Sequence, residues 1–522
     1  MDTNLGQVVL VKDINPGVFE GYNGPVRPID FFMPDDSEAE SNEELDSSAD
    51  DESRISIPTS PYPDSSFPSN LVEFNDKLYF SADDGENGRE LFVSDGTAEG
   101  TQLVVDLRPG EGNYGYIYGS NPYNLVEFND KLYFTANDGE SGNELFVSDG
   151  TAEGTQLVVD LRPGEGNYGY IYGSNPYNLV EFNDKLYFSA DDGESGRELF
   201  VSDGTAEGTQ LLVDLYPGEN NYGYSYGSSP NNLVEFNDQL YFTADDGKNG
   251  YELFVSDGTA EGTQLLVDLY PGEDNYGNSN GSFPSGLVEF NDKLYFTADD
   301  AENGRELFVS DGTAEGTQLL VDLAPGEDKY GNSNSSYPTD LVEFNDKLYF
   351  AANDGKSGAE LFVTDGTAEG TQLLVDLYPG ENKYGFTNGS FPSNFVEFND
   401  KLYFAANDGK SGAELFVTDG TAEGTQLLVD LYPGVSQYGY SYGSNPYELT
   451  VVGDELFFRA NNGETGTELF KLTLDDSTGE TPALINCSNG SDNLFGGEEV
   501  SATLDGINTE QITTSSSDFE TI

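Results

Sequence analysis

The sequence is built on a 54-residue repeat, and this repeat limits the chain to a few architectures. The segment LVEFNDKLYF begins at Leu71 and returns at a constant spacing of 54 residues. The later copies begin at Leu125, Leu179, Leu233, Leu287 and Leu341, and in weaker form at Phe395 and Leu449. Eight copies therefore occupy residues 71–472, the last one incomplete. Units this short and numerous predict a solenoid, a propeller or an array, in which neighbours bury one another's apolar surface.

Each unit reads as four β-strands. Apolar and aromatic runs lie at 71–74, 77–82, 90–94 and 102–107, and Asn75-Asp76 between the first two is a hairpin signal. The runs lack strict alternation of apolar and polar residues, which indicates a sheet covered on both faces. We therefore predict an all-β fold, an eight-bladed β-propeller of four-stranded antiparallel blades.

The two ends of the repeat array suggest how a ring would close. The eighth unit stops before any fourth strand, whereas residues 7–17, QVVLVKDINPG, match the fourth strand and Pro-Gly of the first unit at 102–110. The prediction is that the N-terminal strand, within residues 1–17, pairs with the third strand of blade eight and removes an open sheet edge. The alternative is an open linear array that ends near residues 470–474.

Two further segments flank the repeats. Residues 18–70 form an insertion whose centre, 35–52, holds ten acidic residues in eighteen and no basic one. Such a composition predicts disorder, either as a plain acidic spacer or as a cation sponge. Residues 473–522 form a C-terminal tail rich in Ser, Thr and Asp, with a possible secretion signal.

The repeat resembles a known family. ELFVSDGTAEGTQLVVDL behind an LYFSADDG hairpin is similar to the ELWxxDGT repeat, with Phe92 and its equivalents in the place of the tryptophan, over residues 71–472. The resemblance implies a propeller-like fold and a bacterial surface or secreted location, without a defined activity. The order of the strands is also similar to kelch blades, which implies that LVEF lies innermost and QLVVDL outermost.

The tail carries a second, shorter resemblance. Residues 489–497, NGSDNLFGG, resemble a single calcium-binding RTX nonapeptide, in which Asp492 would be a ligand. That resemblance implies type I export, and the alternative is a Gly-rich linker. The first seventeen residues lack the basic and apolar regions of a cleaved N-terminal signal. The sequence also has no run of eighteen apolar residues, so it predicts no transmembrane helix.

Charge and composition exclude several classes of function. The chain has 21 basic and 96 acidic residues, a formal net charge of −75, which repels nucleic acid and anionic lipid. With no histidine and one cysteine, it can form no Ser-His-Asp relay, no Cys-His pair and no internal disulfide. We expect no nucleic-acid partner and no membrane insertion.

Strand alternation places the loop between the second and third strands on one face of the ring, together with the long connection to the next unit. This loop is the candidate calcium site, because its carboxylate and amide oxygens surround glycines that permit tight turns. The alternative is that these side chains only cap their own turns. The candidate ligands are Asp83, Asp84, Glu90, Asn137, Asp138, Glu144, Asp191, Asp192, Glu198, Asp245, Asp246 and Glu252.

The long connections on the same face are rich in tyrosine. Aromatic rings with nearby hydroxyl and amide groups are typical of adaptable binding loops, and they suit sugars. The alternative is that the tyrosines fill gaps between blades. The candidate ligand contacts are Tyr114, Tyr116, Tyr118, Asn121, Tyr168, Tyr170, Tyr172, Tyr222, Tyr224 and Tyr226.

Together these features predict an extracellular or cell-surface module for multivalent, calcium-dependent binding and adhesion. Its partners would be polysaccharide or surface ligands and divalent cations. The alternative is a structural surface or matrix protein without a discrete ligand. A polysaccharide hydrolase is less favoured, because acids this numerous single out no catalytic pair, and we expect no enzymatic activity.

Overall fold

A computed structural model describes residues 7–15, 65–112, 117–166, 169, 171–274 and 276–473. In these residues the chain forms 32 β-strands, arranged as eight four-stranded antiparallel sheets. The sheets are the blades of an eight-bladed β-propeller, as the repeat predicts. The part of the chain described by the structure contains no helix of the length and apolarity that crossing a membrane requires.

The strand bounds repeat from blade to blade. The first strands are β2 Ser69–Phe74, β6 Tyr123–Phe128, β10 Tyr177–Phe182, β14 Asn231–Phe236, β18 Ser285–Phe290, β22 Thr339–Phe344, β26 Ser393–Phe398 and β30 Tyr447–Val452. The second strands are β3 Lys77–Asp83, β7 Lys131–Asn137, β11 Lys185–Asp191, β15 Gln239–Asp245, β19 Lys293–Asp299, β23 Lys347–Asn353, β27 Lys401–Asn407 and β31 Glu455–Asn461.

The outer half of each blade follows the same rule. The third strands are β4 Arg89–Ser94, β8 Asn143–Ser148, β12 Arg197–Ser202, β16 Tyr251–Ser256, β20 Arg305–Ser310, β24 Ala359–Thr364, β28 Ala413–Thr418 and β32 Thr467–Thr473. The fourth strands are β5 Gln102–Val105, β9 Gln156–Val159, β13 Gln210–Val213, β17 Gln264–Val267, β21 Gln318–Val321, β25 Gln372–Val375 and β29 Gln426–Val429, with β1 Gln7–Lys12 taking this place in blade eight.

The N-terminal strand closes the ring. β1 pairs antiparallel with β32, with Val8 opposite Leu472 and Leu10 opposite Phe470. Val11 and Ile14 are buried in an apolar cluster that joins Leu78 of blade one to Phe457 of blade eight. The predicted closure is therefore confirmed, and the closing pair covers the edge that β32 would otherwise expose.

The first strand of every blade is the innermost. β2 contacts both β30 and β6, and the other first strands contact their neighbours in the same way. The fourth strand is at the outer edge and pairs only with the third strand. This is the order that the similarity to kelch blades implies.

The absence of apolar alternation has a direct structural cause. Phe74, Tyr79 and Leu91 of blade one pack against Leu132 and Phe134 of blade two. Leu78, Phe80 and Ala82, on the opposite pleat, pack toward blade eight. Both faces of the second strand are thus buried. Each fully buried large apolar side chain contributes about 1.5–3 kcal/mol to the free energy of unfolding.

Blade one begins earlier than the repeat suggests. The first strand starts at Ser69 rather than Leu71, and the backbone N–H of Ser66 donates to Glu468 Oε1 at 2.8 Å. Residues 65–70, which the sequence assigned to the insertion, therefore belong to the propeller. The rest of the insertion, the acidic run at 35–52, and the tail with Asp492 lie outside the described residues.

Candidate ligand-binding face

The loops between second and third strands and the connections between blades share one side of the ring, here called the loop face. The connection after blade one runs across the start of the third strand, where the N–H of Asn121 donates to the carbonyl of Arg89 at 2.9 Å. It then meets the end of the second strand of blade two, where Asn137 N–H donates to Ser120 O at 2.9 Å. The loop face has the arrangement that strand alternation predicts.

Each connection rises from the loop face as a small hairpin. A single β-bridge closes it, for example between Glu219 and Ser225. Its turn is held by a side-chain cap: Asn220 Oδ1 accepts the backbone N–H groups of Tyr222 at 2.9 Å and Tyr224 at 3.1 Å. Asp, Asn or Ser occupies the cap position in the four following hairpins, at Asp274, Asp328, Asn382 and Ser436.

The cap presents a tyrosine to solvent at the tip of each of these five hairpins. The exposed fractions of these tip tyrosines are 87% for Tyr222, 91% for Tyr276, 77% for Tyr330, 73% for Tyr384 and 77% for Tyr438. A single exposed aromatic residue on a protein surface needs no explanation. Recurrence at one position in five blades, on a turn fixed by its own side-chain cap, is a more specific feature.

The tyrosines predicted as ligand contacts separate into two groups. Tyr222 and Tyr224 lie at a hairpin tip with exposed fractions of 87% and 70%. Tyr226 lies in the stem, where its ring stacks on that of Tyr216 with centroids 4.7 Å apart. The stem tyrosine is therefore packed within its own connection while 37% of its surface stays exposed, and the tip tyrosines are more exposed still.

The stem positions of the first two connections are packed in the same way. The Arg108 guanidinium lies 4.8 Å from the ring centroid of Tyr118, and that of Arg162 lies 5.1 Å from Tyr172. The side chain of Asn121 donates to the carbonyl of Gly119 at 3.0 Å, within its own turn. The remaining candidates, Tyr114, Tyr116, Tyr168 and Tyr170, lie outside the described residues.

Sequence reasoning missed Tyr276, Tyr330, Tyr384 and Tyr438. These residues occupy the position of Tyr222 in the later connections, and the spacing of 54 residues was a sufficient signal. They were overlooked because the surrounding residues diverge, from NNYGYSYG to DNYGNSNG, so that the shared position is less obvious than the tyrosine-rich run.

The loop carboxylates predicted as calcium ligands cap their own turns. Asp83 Oδ1 accepts the N–H of Gly85 at 2.8 Å, and Asp84 Oδ1 accepts those of Glu86 at 2.9 Å and Asn87 at 2.7 Å. The same bonds recur in the following blades at Asn137, Asp138, Asp191, Asp192, Asp245 and Asp246. These contacts have the pattern of the turn-capping alternative.

The third predicted ligand of each loop lies inside the blade. Glu90 is fully buried and accepts the N–H of Ser120 at 2.7 Å, the hydroxyl of Ser120, and the N–H of Leu107 at 3.3 Å. Burial raises the pKa of this carboxyl to about 7, against the lowering effect of those hydrogen bonds. Glu144, Glu198 and Glu252 have the same environment and a pKa of about 7. These glutamates attach the connection to the third strand.

A carboxylate that the sequence analysis did not single out lies beside each of these glutamates. The Oδ1 atom of Asp214 is buried and has no hydrogen-bond partner among the described residues, and burial raises the pKa of its carboxyl. Its charge also raises the pKa of the adjacent Glu198. The same orphaned oxygen recurs at Asp13, Asp268, Asp322, Asp376 and Asp430.

These carboxylates do not form a ready calcium site. Calcium takes six to eight oxygen ligands, and in the described ranges no three acidic side chains converge closely enough to hold one metal ion. The orphaned aspartate oxygens are of the type that calcium prefers, but the loop oxygens already accept backbone hydrogen bonds. Calcium binding therefore stays a prediction.

A second row of aromatic residues lies on the loop face just before the innermost strands. Phe67, Phe283, Tyr337 and Phe391 adopt φ values of 45–50° and expose 50–69% of their surface. Positive φ is uncommon for bulky residues, and three of the other four blades have asparagine at this position. The backbone is held there by a hydrogen bond, as from Phe283 N to Tyr251 O at 3.0 Å. These inner aromatics add exposed rings to the loop face.

No protein-family model matches the chain, and no curated protein matches it. Among solved structures, the computationally designed protein Ika8 shares 18% identity over 79% of this chain and 97% of that chain, with a TM-score of 0.41. A puromycin hydrolase shares 14% identity over 76% of this chain and 58% of that chain, with a TM-score of 0.40. The β-propeller domain of the Trilobed protease from Pyrococcus furiosus shares 10% identity over 69% and 97%, with a TM-score of 0.38.

The chain thus spans little more than half the length of the puromycin hydrolase that it matches. Similarity at these identities and scores carries no argument about activity. The fold rests on the observed strand order, and the function must be argued from the loop face.

Proposed function

We propose that this protein is a multivalent binding and adhesion module, extracellular or on a cell surface, whose loop face binds polysaccharide or other surface ligands. The observation that carries the proposal is the ring of tip tyrosines, each exposed by 73–91% on a capped turn. The resemblance to ELWxxDGT repeats supports the location.

The chemistry of the tip suits a sugar. A tyrosine ring offers a flat apolar surface to the C–H face of a pyranose, and its hydroxyl can exchange hydrogen bonds with sugar hydroxyls. Tyrosine loses little conformational entropy on binding because it has only two side-chain torsions. A capped turn reduces this loss further, since Asn220 already orders the backbone around Tyr222.

Repetition turns weak sites into a useful one. Each tip offers a small contact area and would bind a single sugar weakly. Several tips on one rigid ring raise the effective concentration of the next site for a polymeric ligand, so that avidity exceeds single-site affinity by about 10²–10⁴. A long or densely displayed polysaccharide is therefore a better partner for this face than a free monosaccharide.

Calcium enters the proposal as a stabiliser of the acidic ring. A net charge of −75 destabilises the compact state by self-repulsion. Divalent cations that associate with the folded ring would reduce this repulsion and stabilise the fold by mass action. The orphaned oxygen of Asp214 and its equivalents supports such an association.

A second candidate is a structural surface or matrix protein without a discrete ligand. The stem contacts favour it, because Tyr226 on Tyr216 and Arg108 on Tyr118 stiffen the connections by packing alone.

We propose no enzymatic role, since the loop carboxylates are engaged in turn caps and blade contacts. A hydrolase would require polysaccharide turnover that a carboxylate substitution abolishes.

A glycan array probed with and without calcium tests the proposal first. Discrete hits support a ligand-binding face, and silence under both conditions supports the structural candidate. The next step replaces one, three or all seven tyrosines of this repeat position by serine, that is, the five described tip tyrosines together with Tyr114 and Tyr168, and measures retention on the best immobilised polysaccharide. We expect a stepwise loss of avidity with each set of substitutions.

Matched variants separate ring stacking from loss of fold. Tyr276→Phe keeps the aromatic ring and should retain most of the binding that Tyr276→Ser removes. Both should leave the melting temperature unchanged, because this side chain is 91% exposed. Full retention by the variant that lacks all seven of these rings would overturn the assignment of the site.

A further inference from the structure

The first residue of the third strand occupies a groove on the loop face, and in three blades it is an arginine. In blade five Arg305 Nη2 donates to the carbonyl of Phe283 at 2.8 Å and to Ser285 Oγ at 2.6 Å. In blades one and three, Arg89 Nη1 donates to Ser69 Oγ at 3.0 Å and Arg197 Nη1 to the carbonyl of Asn175 at 2.9 Å. The groove therefore has acceptor atoms that hold a donor-rich group.

Blade seven keeps the groove without the arginine. Ala413 stands at the position of Arg305, whereas Phe391 and Ser393 stand at the positions of Phe283 and Ser285. A cavity of about 340 Å³ lies here between blades seven and eight, with Ala405 and Ala413 in its wall. Its volume falls in the range of small-molecule sites, about 300–1,000 Å³.

The charges around the cavity argue against a cationic occupant. In blade five burial lowers the pKa of Arg305 and the charge of Asp299 opposes that lowering, but blade seven has the neutral Asn407 in the place of Asp299. Arg459 of blade eight lines the cavity and lies 4.5 Å from the ring centroid of Tyr447. The Arg459 guanidinium also donates to the carbonyl of Pro68 at 3.4 Å, and it lies close enough to Glu448 to oppose the burial that raises the pKa of that carboxyl. Among the residues that line the cavity it is the one charged group, and its remaining N–H donors favour a ligand that combines hydroxyl donors with an anionic group.

Two aromatic rings complete the cavity. Phe391, one of the inner aromatics, is 69% exposed, and Tyr447 is 45% exposed. Both line the same cavity from opposite blades. In blade six the corresponding neighbours are Ser393 and Ala405, so the combination of ring and guanidinium is specific to the groove between blades seven and eight.

We infer that this groove is a discrete site for an acidic sugar residue of the uronic acid type. The sugar ring packs against Phe391 and Tyr447, its hydroxyls donate to Phe391 O and Ser393 Oγ, and its carboxylate pairs with Arg459. The inference rests on the proposed function, because it specifies one sugar class for the loop face. It adds a single pocket of defined chemistry to the repeated tip contacts.

The test refills the groove with the arrangement of blade five. The double variant Ala413→Arg, Asn407→Asp restores the arginine and its carboxylate partner, and the same pair in blade six, Ala359→Arg with Asn353→Asp, is the matched control. Calorimetric titration with a trigalacturonate and with a neutral trisaccharide is run at high salt, where the repulsion between the ligand and this acidic protein is screened.

We expect the refilled blade-seven variant to bind trigalacturonate with an affinity at least about tenfold lower than that of the wild type. A tenfold loss of affinity is what the loss of one charge-assisted contact produces. Arg459→Gln should weaken trigalacturonate binding to a similar degree and leave the neutral trisaccharide unaffected. The blade-six control should bind as the wild type does, and melting temperatures verify that all variants are folded.

Three results would overturn the inference. One is equal trigalacturonate binding by the wild type and the refilled variant. Another is preference for the neutral sugar, and a third is competition by methylguanidinium, which would identify a cation site. If one of these three results is obtained while polysaccharide retention still depends on the tip tyrosines, this inference fails and the proposed function stands. If the array is silent and trigalacturonate does not bind, both fail.

Discussion

The buried glutamates make a strong prediction about acid stability. Burial raises the pKa of Glu252 to about 7, from an ordinary value of 4.5. A carboxyl with a raised pKa holds its proton more tightly in the folded chain than in the unfolded chain. Its stabilising contribution is therefore complete below pH 4.5 and is lost as the pH rises through 7. The same environment recurs at Glu90, Glu144, Glu198, Glu306, Glu414 and Glu468.

The size of the effect follows from the two pKa values. One such group makes unfolding less favourable at pH 5 than at pH 8 by about 2.5 kcal/mol. An unfolding entropy of about 2.1 cal/mol/K per residue over the roughly 400 residues of the ring converts this to about 3 °C in the melting temperature. The wild type should therefore melt at a higher temperature at pH 5 than at pH 8.

Glu252→Gln isolates one of these groups, because glutamine cannot titrate. The rise in melting temperature from pH 8 to pH 5 should be about 3 °C smaller in this variant than in the wild type. Glu261→Gln, an exposed residue of the same blade, is the control and should leave the slope unchanged. Equal slopes for Glu252→Gln and the wild type, or a wild type that melts lower at pH 5, would refute the reasoning.

Three further predictions use the same melting assay. The wild type should melt at a higher temperature in millimolar calcium than in chelator, and equal values would remove calcium from the proposal. Ile14→Ala should destabilise the protein by about 2–5 kcal/mol, because this residue is buried at the ring closure. If Ile14→Ala loses less stability than an isoleucine-to-alanine substitution at an exposed position, the role of the N-terminal strand is contradicted. Gly247→Ala should destabilise the protein more than Gly355→Ala. Both glycines have φ near +72°, but a Cβ at 247 would overlap Tyr216 Cε2, whereas one at 355 meets nothing within 4 Å. Equal effects would show that Tyr216 moves aside freely.

The candidate site was only partly accessible from sequence. The loop face could be assigned from strand alternation, and the recurrence of Tyr222 every 54 residues was visible in the sequence. Whether a given tyrosine lies at the tip or in the stem was not visible, because Tyr222 and Tyr226 differ in what packs beside them rather than in local pattern. The stacking partner Tyr216 lies at the other end of the hairpin.

The buried carboxylates were misplaced for a similar reason. Glu90 follows a glycine-rich loop, and its neighbours in sequence suggest an exposed turn. Its burial comes from Ser120, thirty residues later, which crosses above it in the connection. Burial also creates the orphaned oxygen of Asp214, a residue that in sequence only marks the end of a strand.

The amino-acid sequence by itself determined the blade, the number of blades and the closure. Strands and turns depend on residues a few positions apart, and a repeat can be counted, so residues 7–12 could be matched to the strand missing from blade eight. Only the tertiary structure decided which groups are buried, stacked or paired. Those properties depend on side chains from neighbouring blades. Ala413 of blade seven and Arg459 of blade eight, for example, line the same cavity.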